Sequence, residues 1–297
     1  MMKKLLSYLR LIRVNQWVKN SFIFLPAFFS LKLTDTHVVL QLLVSFIGFS
    51  LIASSVYVFN DMLDVKEDRL HPVKRNRPLA SGLVSTAEGI GLIGVLLAIG
   101  LSIFLFFIQD PLVLLIVLLY LVQNVLYTIK LKHISILDIV IIAVGFVLRI
   151  ALGGLISDTV LSHWIILMTF VLALFLALAK RRDDVFNFVR TGVSPRKNLQ
   201  GYNLEFLNVA ITCMATVVVV CYVMYCTSEE VINRFGKNVY LTSFFVILGM
   251  LRYLQLTFVW LISGSPTAVL LKNRFLQVII LGWILSFFAI IYYNLKW

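Results

Sequence analysis

Polar side chains that could bind a metal ion follow directly on a long apolar segment of the chain. Asn60 and Asp61 close this segment, and Asp64 and Asp68 continue the series at helical spacing. If the helix continues to Pro72, all four polar side chains project from one face. Their hard oxygen atoms suit Mg²⁺, which binds one or two carboxylates together with the phosphate oxygens of a substrate. The alternative is a solvated, mixed-charge helix end, but unpaired polar groups flush with an apolar span are costly.

Cations that could bind phosphate groups follow the acidic residues and recur near other apolar segments. Lys74 and Arg77 come just after the acidic run, where they could clamp phosphate groups. Arg149 lies inside an apolar segment, where a charge costs about 2.5–3.5 kcal/mol unless it faces a cavity. We therefore predict that Arg149 contacts phosphate, with a salt bridge to Asp138 as the alternative. Phosphate binding is also predicted for cations at the ends of apolar segments: Lys130, Lys132, Lys180 and Arg181.

Three further side chains are candidates for substrate contact. Lys19 could meet a lipid phosphate at the membrane interface together with Arg149, and the alternative is a membrane anchor paired with Trp17. Tyr57 lies one helical turn before the acidic run, so it could donate a hydrogen bond to substrate, although ordinary helix packing explains it equally well. Tyr127 is counted with the phosphate site because it precedes the two lysines that end its apolar segment. For those two lysines, contact with lipid headgroups is the alternative.

The elements that must position these residues are membrane-spanning helices. The chain has 297 residues, of which 61% are hydrophobic and 13% charged, whereas soluble domains have about 45–50% apolar and about 25% charged residues. This composition excludes a soluble enzyme, a disordered chain and a disulfide-stapled secreted domain. Apolar windows of about 20 residues are long enough to span a bilayer, and they predict an all-α polytopic membrane protein that forms one domain over residues 1–297. The nine predicted transmembrane helices cover residues 16–31, 38–60, 89–109, 111–129, 139–157, 159–179, 206–228, 238–261 and 275–295.

The basic residues indicate how these helices are oriented. The formal net charge is +12, and 21 of the 26 lysines and arginines fall on one side of the predicted spans. The positive-inside rule places that side in the cytoplasm, so we expect a protein of the inner cell membrane whose polar site faces the cytoplasm. Residues 1–14 combine leucines with Lys3, Lys4, Arg10 and Arg13, which predicts an amphipathic helix that anchors to the bilayer surface. Without a folded module outside the membrane, no nucleic-acid partner is expected.

The acidic run resembles a motif of a known family. Asn60, Asp61, Asp64, Asp68 and Pro72 form the pattern N-D-x-x-D-x-x-x-D-x-x-x-P, which is similar to the first signature of the UbiA superfamily of intramembrane prenyltransferases. The predicted helices and long cytoplasmic loops resemble that family over essentially the whole chain. The resemblance implies a bundle around a central cavity that binds Mg²⁺ and a diphosphate leaving group at its mouth. It also implies Asn60, Asp61 and Asp64 as metal ligands and Asp61, Asp64 and Asp68 as catalytic residues.

The region that corresponds to the second signature of this superfamily is cationic. Members that prenylate aromatic rings carry further aspartates there, whereas this chain has Lys130, Lys132, Arg149, Lys180 and Arg181. This charge balance resembles the branch of decaprenyl-phosphate phosphoribosyltransferases. The motifs Q-W-x-K-N at 16–20, H-P-x-K-x-x-R-P-x-A-S-G at 71–82 and G-Y-N-x-E at 201–205 resemble that branch as well. The branch implies phosphoribosyl diphosphate and a polyprenyl phosphate as substrates, and Mg²⁺ as cofactor.

The reaction implied by this branch agrees with the residue types. Several phosphate groups that meet at a low-dielectric boundary repel each other, so many cations are needed to hold them together. A phosphate nucleophile is already ionised near neutral pH, so displacement at C1 of the ribose requires no general base. The alternatives are an aromatic prenyltransferase that joins a prenyl diphosphate to an acceptor such as 4-hydroxybenzoate, and a transporter of anionic lipids or phosphorylated metabolites. The sequence leaves assembly into a homo-oligomer open.

Overall fold

The regular secondary structure of the protein is helical throughout the residues that the structure describes. In this computed structural model those residues are 2–70, 73–191, 201–261 and 266–292. The chain divides into two compact units, Met1–Leu161 and Ser162–Trp297. The prediction of an all-α fold is confirmed.

The first unit contains seven α-helices, of which α3, α5, α6 and α7 are the long apolar ones. Their bounds are α1 Met2–Leu11, α2 Leu25–Phe29, α3 Thr36–Leu63, α4 Val65–Leu70, α5 Thr86–Ser102, α6 Pro111–Ile129 and α7 Leu137–Ile156. Short 3₁₀ helices connect several of them, notably Val14–Phe24 between α1 and α2, Lys74–Asn76 after α4, and Leu131–His133 between α6 and α7. A π-helical turn, Ile103–Ile108, extends α5.

Local capping fixes where the long helices of this unit begin. The Asp35 carboxylate accepts hydrogen bonds from the backbone N–H groups of His37 and Val38 at the start of α3. Ser85 and Glu88 form a capping box at the start of α5, and Asp110 caps α6. Each cap satisfies backbone donors that the first helical turn leaves without partners. The sequence thus sets the ends of the elements that carry the polar residues.

The first unit is held together by close contacts along α3. Phe49 and Ile52 on α3 are fully buried and pack against Phe104, Val117 and Leu152 from three other helical segments. In a bilayer the apolar side chains gain little from leaving lipid, so close packing and interhelical hydrogen bonds supply most of the association energy. The polar groups near the ends of α3 are therefore carried by a tightly packed element.

One close backbone contact joins α7 to the 3₁₀ helix Val14–Phe24. A Cβ atom at Gly153 would lie 1.9 Å from the carbonyl oxygen of Ile23, so only glycine allows this approach. Ile23 and Leu152 are both fully buried at the contact. The contact fixes Asn20 and Arg149, which lie within one helical turn of Ile23 and Gly153 respectively.

The described residues of the second unit form six α-helices and the 3₁₀ helix Lys237–Thr242. The α-helices are α8 His163–Thr191, α9 Leu204–Thr227, α10 Glu229–Phe235, α11 Ser243–Phe258, α12 Pro266–Lys272 and α13 Arg274–Tyr292. The buried Arg182 on α8 donates to Asn208 Oδ1 on α9 at 2.7 Å and to the Thr257 carbonyl on α11 at 2.9 Å. This guanidinium therefore cross-links three helices of the unit.

The prediction of nine transmembrane helices is wrong. In the described residues, seven helices are long and apolar enough to cross a membrane, and the pair α12–α13, bent by 87°, makes eight if it forms one span. The predicted first span, 16–31, is instead a 3₁₀ helix, Val14–Phe24, followed by the five-residue α2. Pro26 lies in the first turn of α2, where its missing N–H and its ring oppose a continuous helix from the preceding segment. The chain remains a multi-pass integral membrane protein.

Candidate active site

The acidic run lies where α3 gives way to the short helix α4. The backbone N–H of Asp64 donates to the Asn60 carbonyl at 3.0 Å, and that of Asp68 donates to the Asp64 carbonyl at 2.8 Å. Helical spacing therefore persists across the break at Asp64, close to the expected arrangement. Asp61 and Asp68 are buried, whereas Asn60 and Asp64 are half-buried. The expected end of the helix at Pro72 lies outside the described residues.

Arg77 joins two of the three aspartates. Its Nη1 atom lies 2.9 Å from Asp61 Oδ1 and 2.7 Å from Asp68 Oδ2. The chain reverses after α4, and this reversal returns Arg77 to the acidic face. Because both carboxylates are buried, the guanidinium supplies the compensating charge that a buried carboxylate requires.

Lys132 joins the remaining aspartate from a different part of the unit. Its Nζ atom lies 2.7 Å from Asp64 Oδ1 and 3.4 Å from Asn60 Oδ1. Asn60 Nδ2 in turn donates to Asp64 Oδ2 at 3.0 Å. The 3₁₀ helix Leu131–His133 between α6 and α7 places this lysine, so the tertiary fold brings together residues that are far apart in sequence.

Arg13 is a site residue that the sequence prediction missed. The pattern of leucines and cations predicts that it lies on the amphipathic surface helix, but α1 ends at Leu11, and the Arg13 guanidinium donates to Asp61 Oδ1. Its Cζ atom also lies 5.1 Å from the centre of the Tyr57 ring. The expectation that Arg13 only anchors the membrane surface is wrong, because the chain turns away from the helix before this residue. A break in the spacing of leucines and cations after Ile12 is the signal that could have shown it.

The oxygen atoms at the acidic run fit a Mg²⁺ ion that also binds substrate. Asn60 and Asp64 present an amide and a carboxylate side by side, and Asp61 follows Asn60 directly. Across the described residues no group of three or more His, Cys, Asp or Glu side chains converges into a complete metal cage. Mg²⁺ does not require such a cage, because it takes one or two carboxylates and fills its remaining positions with water and substrate phosphate oxygens. The donor set is therefore adequate for Mg²⁺.

A second polar cluster surrounds Arg149 on α7. Arg149 is only 5% exposed, and it donates to Asn20 Oδ1 at 2.8 Å, to the Gly145 carbonyl at 2.6 Å and to the Tyr120 hydroxyl at 3.0 Å. Its Cζ atom also lies 5.1 Å from the centre of the Phe49 ring. All of these partners are neutral, and no carboxylate in the described part of the unit pairs with Arg149. The alternative of a salt bridge to Asp138 is wrong.

Lys19 adds a second cation beside this cluster. It is the neighbour of Asn20, which is buried and donates to Ser50 Oγ at 2.8 Å. Desolvation, together with the nearby positive charges of Arg149 and Arg13, lowers the pKa of Lys19 to about 8. Two nearby cations that repel each other form a site that favours an anion.

Other residues of the predicted phosphate site belong to the first unit. Tyr57 is half-buried beneath Arg13, Tyr127 is half-buried in the last turn of α6, and Lys74 begins the 3₁₀ helix that precedes Arg77. Lys130 is exposed at the end of α6 and makes no side-chain hydrogen bond or ion pair with other described residues. Lys132 is therefore the lysine of this pair that reaches the aspartates.

Lys180 and Arg181 lie on α8 of the second unit. Arg181 is buried and pairs with Asp184 at 3.0 Å, and its Cζ atom lies 5.8 Å from the centre of the Tyr202 ring. Lys180 is half-buried. Their assignment to phosphate binding stays a prediction. The motif residues His71 and Pro72 and the loop cations Arg196 and Lys197 lie outside the described residues.

The two clusters of the first unit differ in charge. Around the acidic run, Asp61, Asp64 and Asp68 face Arg13, Arg77 and Lys132, so opposite charges are matched in number. Arg149 in the second cluster has only neutral hydrogen-bond partners among the described residues. Asn20 and Tyr120, which sequence reasoning did not assign, hold Arg149 in place; Asn20 stands in the Q-W-x-K-N motif, whereas nothing in the sequence marks Tyr120. The first cluster can bind a metal ion and its counter-anion, and the second can bind an anion directly.

Comparisons with known proteins agree with this arrangement. The sequence profile of the UbiA prenyltransferase family matches residues 22–279. The chain is 33% identical to a decaprenyl-phosphate phosphoribosyltransferase of Mycolicibacterium smegmatis, over 98% of this chain and 95% of the relative. It is 30% identical to a protein of the same name from Corynebacterium glutamicum, over 96% of this chain and 86% of the relative.

The fold also matches solved structures. A UbiA homologue from Archaeoglobus fulgidus bound to DMAPP and Mg²⁺ superposes with a TM-score of 0.68, covering 96% of this chain and 99% of that chain. The two sequences are 20% identical. At that level the likeness shows a shared fold and carries no assignment of substrate.

Proposed function

This chain belongs to the UbiA prenyltransferase family, and we propose that it transfers 5-phosphoribose from phosphoribosyl diphosphate to a polyprenyl phosphate with release of pyrophosphate. The relatives named as decaprenyl-phosphate phosphoribosyltransferases align over nearly the whole chain, so the similarity that supports this activity is not confined to one part of it. The enzyme is a polyprenyl-phosphate phosphoribosyltransferase.

The observation that carries this proposal is the cationic cluster of Arg149 and Lys19. A buried guanidinium without a carboxylate partner is costly in a membrane protein unless an anion compensates it. A polyprenyl phosphate supplies such an anion, with its apolar chain in the lipid and its phosphate at the polar boundary. An aromatic acceptor such as 4-hydroxybenzoate carries one carboxylate and no phosphate, so it would bind two adjacent cations less strongly than a phosphate does.

The second substrate occupies the acidic run in this proposal. Asn60, Asp61 and Asp64 would hold Mg²⁺, and Arg77, Lys74 and Lys132 would bind phosphate oxygens of phosphoribosyl diphosphate. When bound, Mg²⁺ supplies positive charge that stabilises the departing pyrophosphate. Lys132 and Arg77 now pair with carboxylates, and they would pair with phosphate once those carboxylates bind the metal.

The transfer step needs little acid–base chemistry from the chain. A phosphate oxygen of the lipid forms a bond to C1 of the ribose while the bond from C1 to the diphosphate oxygen breaks and its electron pair leaves with pyrophosphate. The lipid phosphate is fully ionised above its second pKa of about 6, so no residue has to remove a proton. Arg149, Lys19 and the cations at the aspartates act by holding the anions together and in position.

The location in the membrane follows from the charge distribution. The acidic run and most of the cations lie on the side that the positive-inside rule places in the cytoplasm. Phosphoribosyl diphosphate is a soluble, highly charged molecule, so a site at that face of the inner membrane would receive it without transport. We propose this orientation for the enzyme.

A direct assay tests the proposed function. The purified protein is given Mg²⁺, radiolabelled phosphoribosyl diphosphate and polyprenyl phosphate, and in parallel a prenyl diphosphate with 4-hydroxybenzoate. We expect label in the lipid fraction and equimolar pyrophosphate in the first reaction only. A prenylated aromatic product without labelled lipid would contradict the proposal.

A further inference from the structure

Arg13 is held in an unusual backbone conformation between α1 and the following 3₁₀ helix. Its φ angle is 53°, in the left-handed region that non-glycine residues seldom adopt. The backbone bonds from Arg13 N to the Arg10 carbonyl and from Gln16 N to the Arg13 carbonyl turn the chain at this point. A conformation of this kind persists only where the surrounding structure enforces it, and such residues cluster at functional sites.

The segment around Arg13 is fastened to α3 on both sides. Ser54 on α3 donates to the carbonyl of Ile12 at 2.8 Å and accepts from Trp17 Nε1 at 3.0 Å. These bonds bring the start of the 3₁₀ helix against α3 within two turns of Asp61. The Arg13 side chain therefore reaches Asp61 from a fixed base, 48 residues away in sequence.

Asp61 is shared by two guanidinium groups. Both Arg13 and Arg77 bind the same oxygen, Oδ1. Arg77 has a second carboxylate, Asp68, at 2.7 Å, whereas Asp61 is the only ion-pair partner of Arg13 among the described residues. The Arg13 side chain is also 25% exposed, so it can exchange this partner for another anion.

We propose that Arg13 is a phosphate-binding residue for the diphosphate of the phosphoribosyl donor, and that Asp61 takes the place of this anion in the free protein. The inference rests on the proposed function and adds a residue to the same site. Once Asp61 is engaged by Mg²⁺, the Arg13 guanidinium loses its carboxylate partner. A planar guanidinium pairs with two phosphate oxygens at once, which makes the diphosphate its natural replacement. Arg13 pairs with Asp61, and its charge also acts on Lys19, so it lies near both proposed anion sites.

If Arg13 exchanges Asp61 for the diphosphate, Arg13→Gln should weaken the binding of pyrophosphate and strengthen the binding of Mg²⁺. Binding of pyrophosphate to the full-length protein at fixed Mg²⁺, measured by calorimetry, should weaken at least about tenfold, because a charge-assisted hydrogen bond is lost. Binding of Mg²⁺ alone should tighten, because Asp61 has lost one competing cation. A purely structural Arg13 would weaken both, and a simple counterion of Asp61 would leave pyrophosphate binding unchanged. Either result would overturn the inference.

Two further variants serve as controls for Arg13→Gln. Arg10→Gln removes an exposed arginine from the preceding turn and should change neither affinity. Arg13→Lys keeps the charge without the planar fork and should weaken pyrophosphate binding by a smaller factor, so it decides the question if Arg13→Gln does not fold. The readout involves neither ribose nor lipid. A protein that binds Mg²⁺ and pyrophosphate as described but forms no phosphoribosyl lipid would therefore contradict the proposed function alone.

Discussion

Asp61 and Arg149 are buried charges in opposite electrostatic situations. Asp61 is 3% exposed and lies between two guanidinium groups. Arg149 is surrounded by neutral hydrogen-bond acceptors and aromatic rings. A buried ion with opposite charges beside it is compensated within the protein, whereas one with neutral partners gains when a ligand supplies the missing charge. This difference agrees with the proposed metal and diphosphate site at Asp61 and a separate proposed phosphate site at Arg149.

Replacing Asp64 with asparagine tests the metal site. The substitution keeps the shape of the side chain and removes one carboxylate oxygen charge, leaving Lys132 without its ion-pair partner. We expect turnover at saturating Mg²⁺ to fall at least about 100-fold, because metal charge stabilisation is worth several kcal/mol. Glu67→Gln, an exposed residue one turn away, is the control and should retain activity. Full activity of Asp64→Asn would show that Asp64 does not hold the metal.

The protonation state of Lys19 predicts how kcat/KM for polyprenyl phosphate depends on pH. The pKa of Lys19 is about 8, so the cation is present below this pH and is lost as the pH rises through it. Since the lipid phosphate stays dianionic over that range, kcat/KM for polyprenyl phosphate should fall roughly fivefold between pH 8 and pH 9.

The variant Lys19→Arg separates this residue from other titrating groups. Arginine remains protonated throughout, so the fall in kcat/KM should disappear between pH 8 and pH 9. Lys66→Arg, at an exposed position of α4, should keep the fall. An unchanged pH profile in Lys19→Arg would assign the titration to another group.

At the scale of the elements, the contact between α7 and the 3₁₀ helix Val14–Phe24 determines the surroundings of Arg149, the proposed phosphate site. Gly153 lets the two backbones touch, and Asn20 from one element then binds Arg149 from the other at 2.8 Å. Neither element could hold Arg149 in place alone. The first segment is not a regular spanning α-helix, and its tighter 3₁₀ winding brings Trp17, Asn20 and Ile23 to one side, since residues three apart align in such a helix.

Gly153→Ala tests this contact. The added Cβ would lie 1.9 Å from the Ile23 carbonyl oxygen, so the two elements must separate and the bond from Arg149 to Asn20 must lengthen. We expect KM for polyprenyl phosphate to rise about tenfold, because one charge-assisted hydrogen bond is disturbed. The thermal midpoint should also fall. Gly91→Ala on α5, where the new Cβ has nothing within 4 Å, is the control. Equal behaviour of the two variants would exclude the close contact.

At the scale of the whole molecule, the positive charges follow the order of the spanning helices. Successive spans cross a membrane in opposite directions, so this order of candidate spans along the chain predicts that the basic connections after α3, α6 and α8 fall on one side. The opposite side carries few cations, including Lys32 and Lys237.

Cysteine labelling tests the orientation. Lys66→Cys and Lys237→Cys are placed singly at exposed positions, in a chain whose Cys213, Cys221 and Cys226 have been replaced. A membrane-impermeant maleimide should label Lys66→Cys in inside-out vesicles and Lys237→Cys in right-side-out vesicles. Labelling of both variants from the same side would contradict the proposed topology.

The sequence by itself determined the class of fold, the family and the acidic motif for which metal binding is proposed. Apolar windows and helical spacing are local properties of the sequence, so they can be recognised without knowledge of the tertiary structure. The resemblance to the UbiA family rested on Asn60, Asp61, Asp64 and Asp68 and is confirmed by the family profile. The number of transmembrane helices was predicted wrongly, because hydropathy does not distinguish a 3₁₀ segment followed by a proline from a spanning α-helix.

Only the tertiary structure decided which cations serve the site. Lys132 reaches Asp64 and Lys130 does not, although the two lysines are two residues apart. Arg13 was predicted to lie on the membrane surface, yet it binds Asp61 because the chain turns at a left-handed residue. Such partners come from distant segments, and their meeting depends on how the helices pack. Composition showed an excess of positive charge, and packing selected the few cations that meet the aspartates or lie buried beside Asn20.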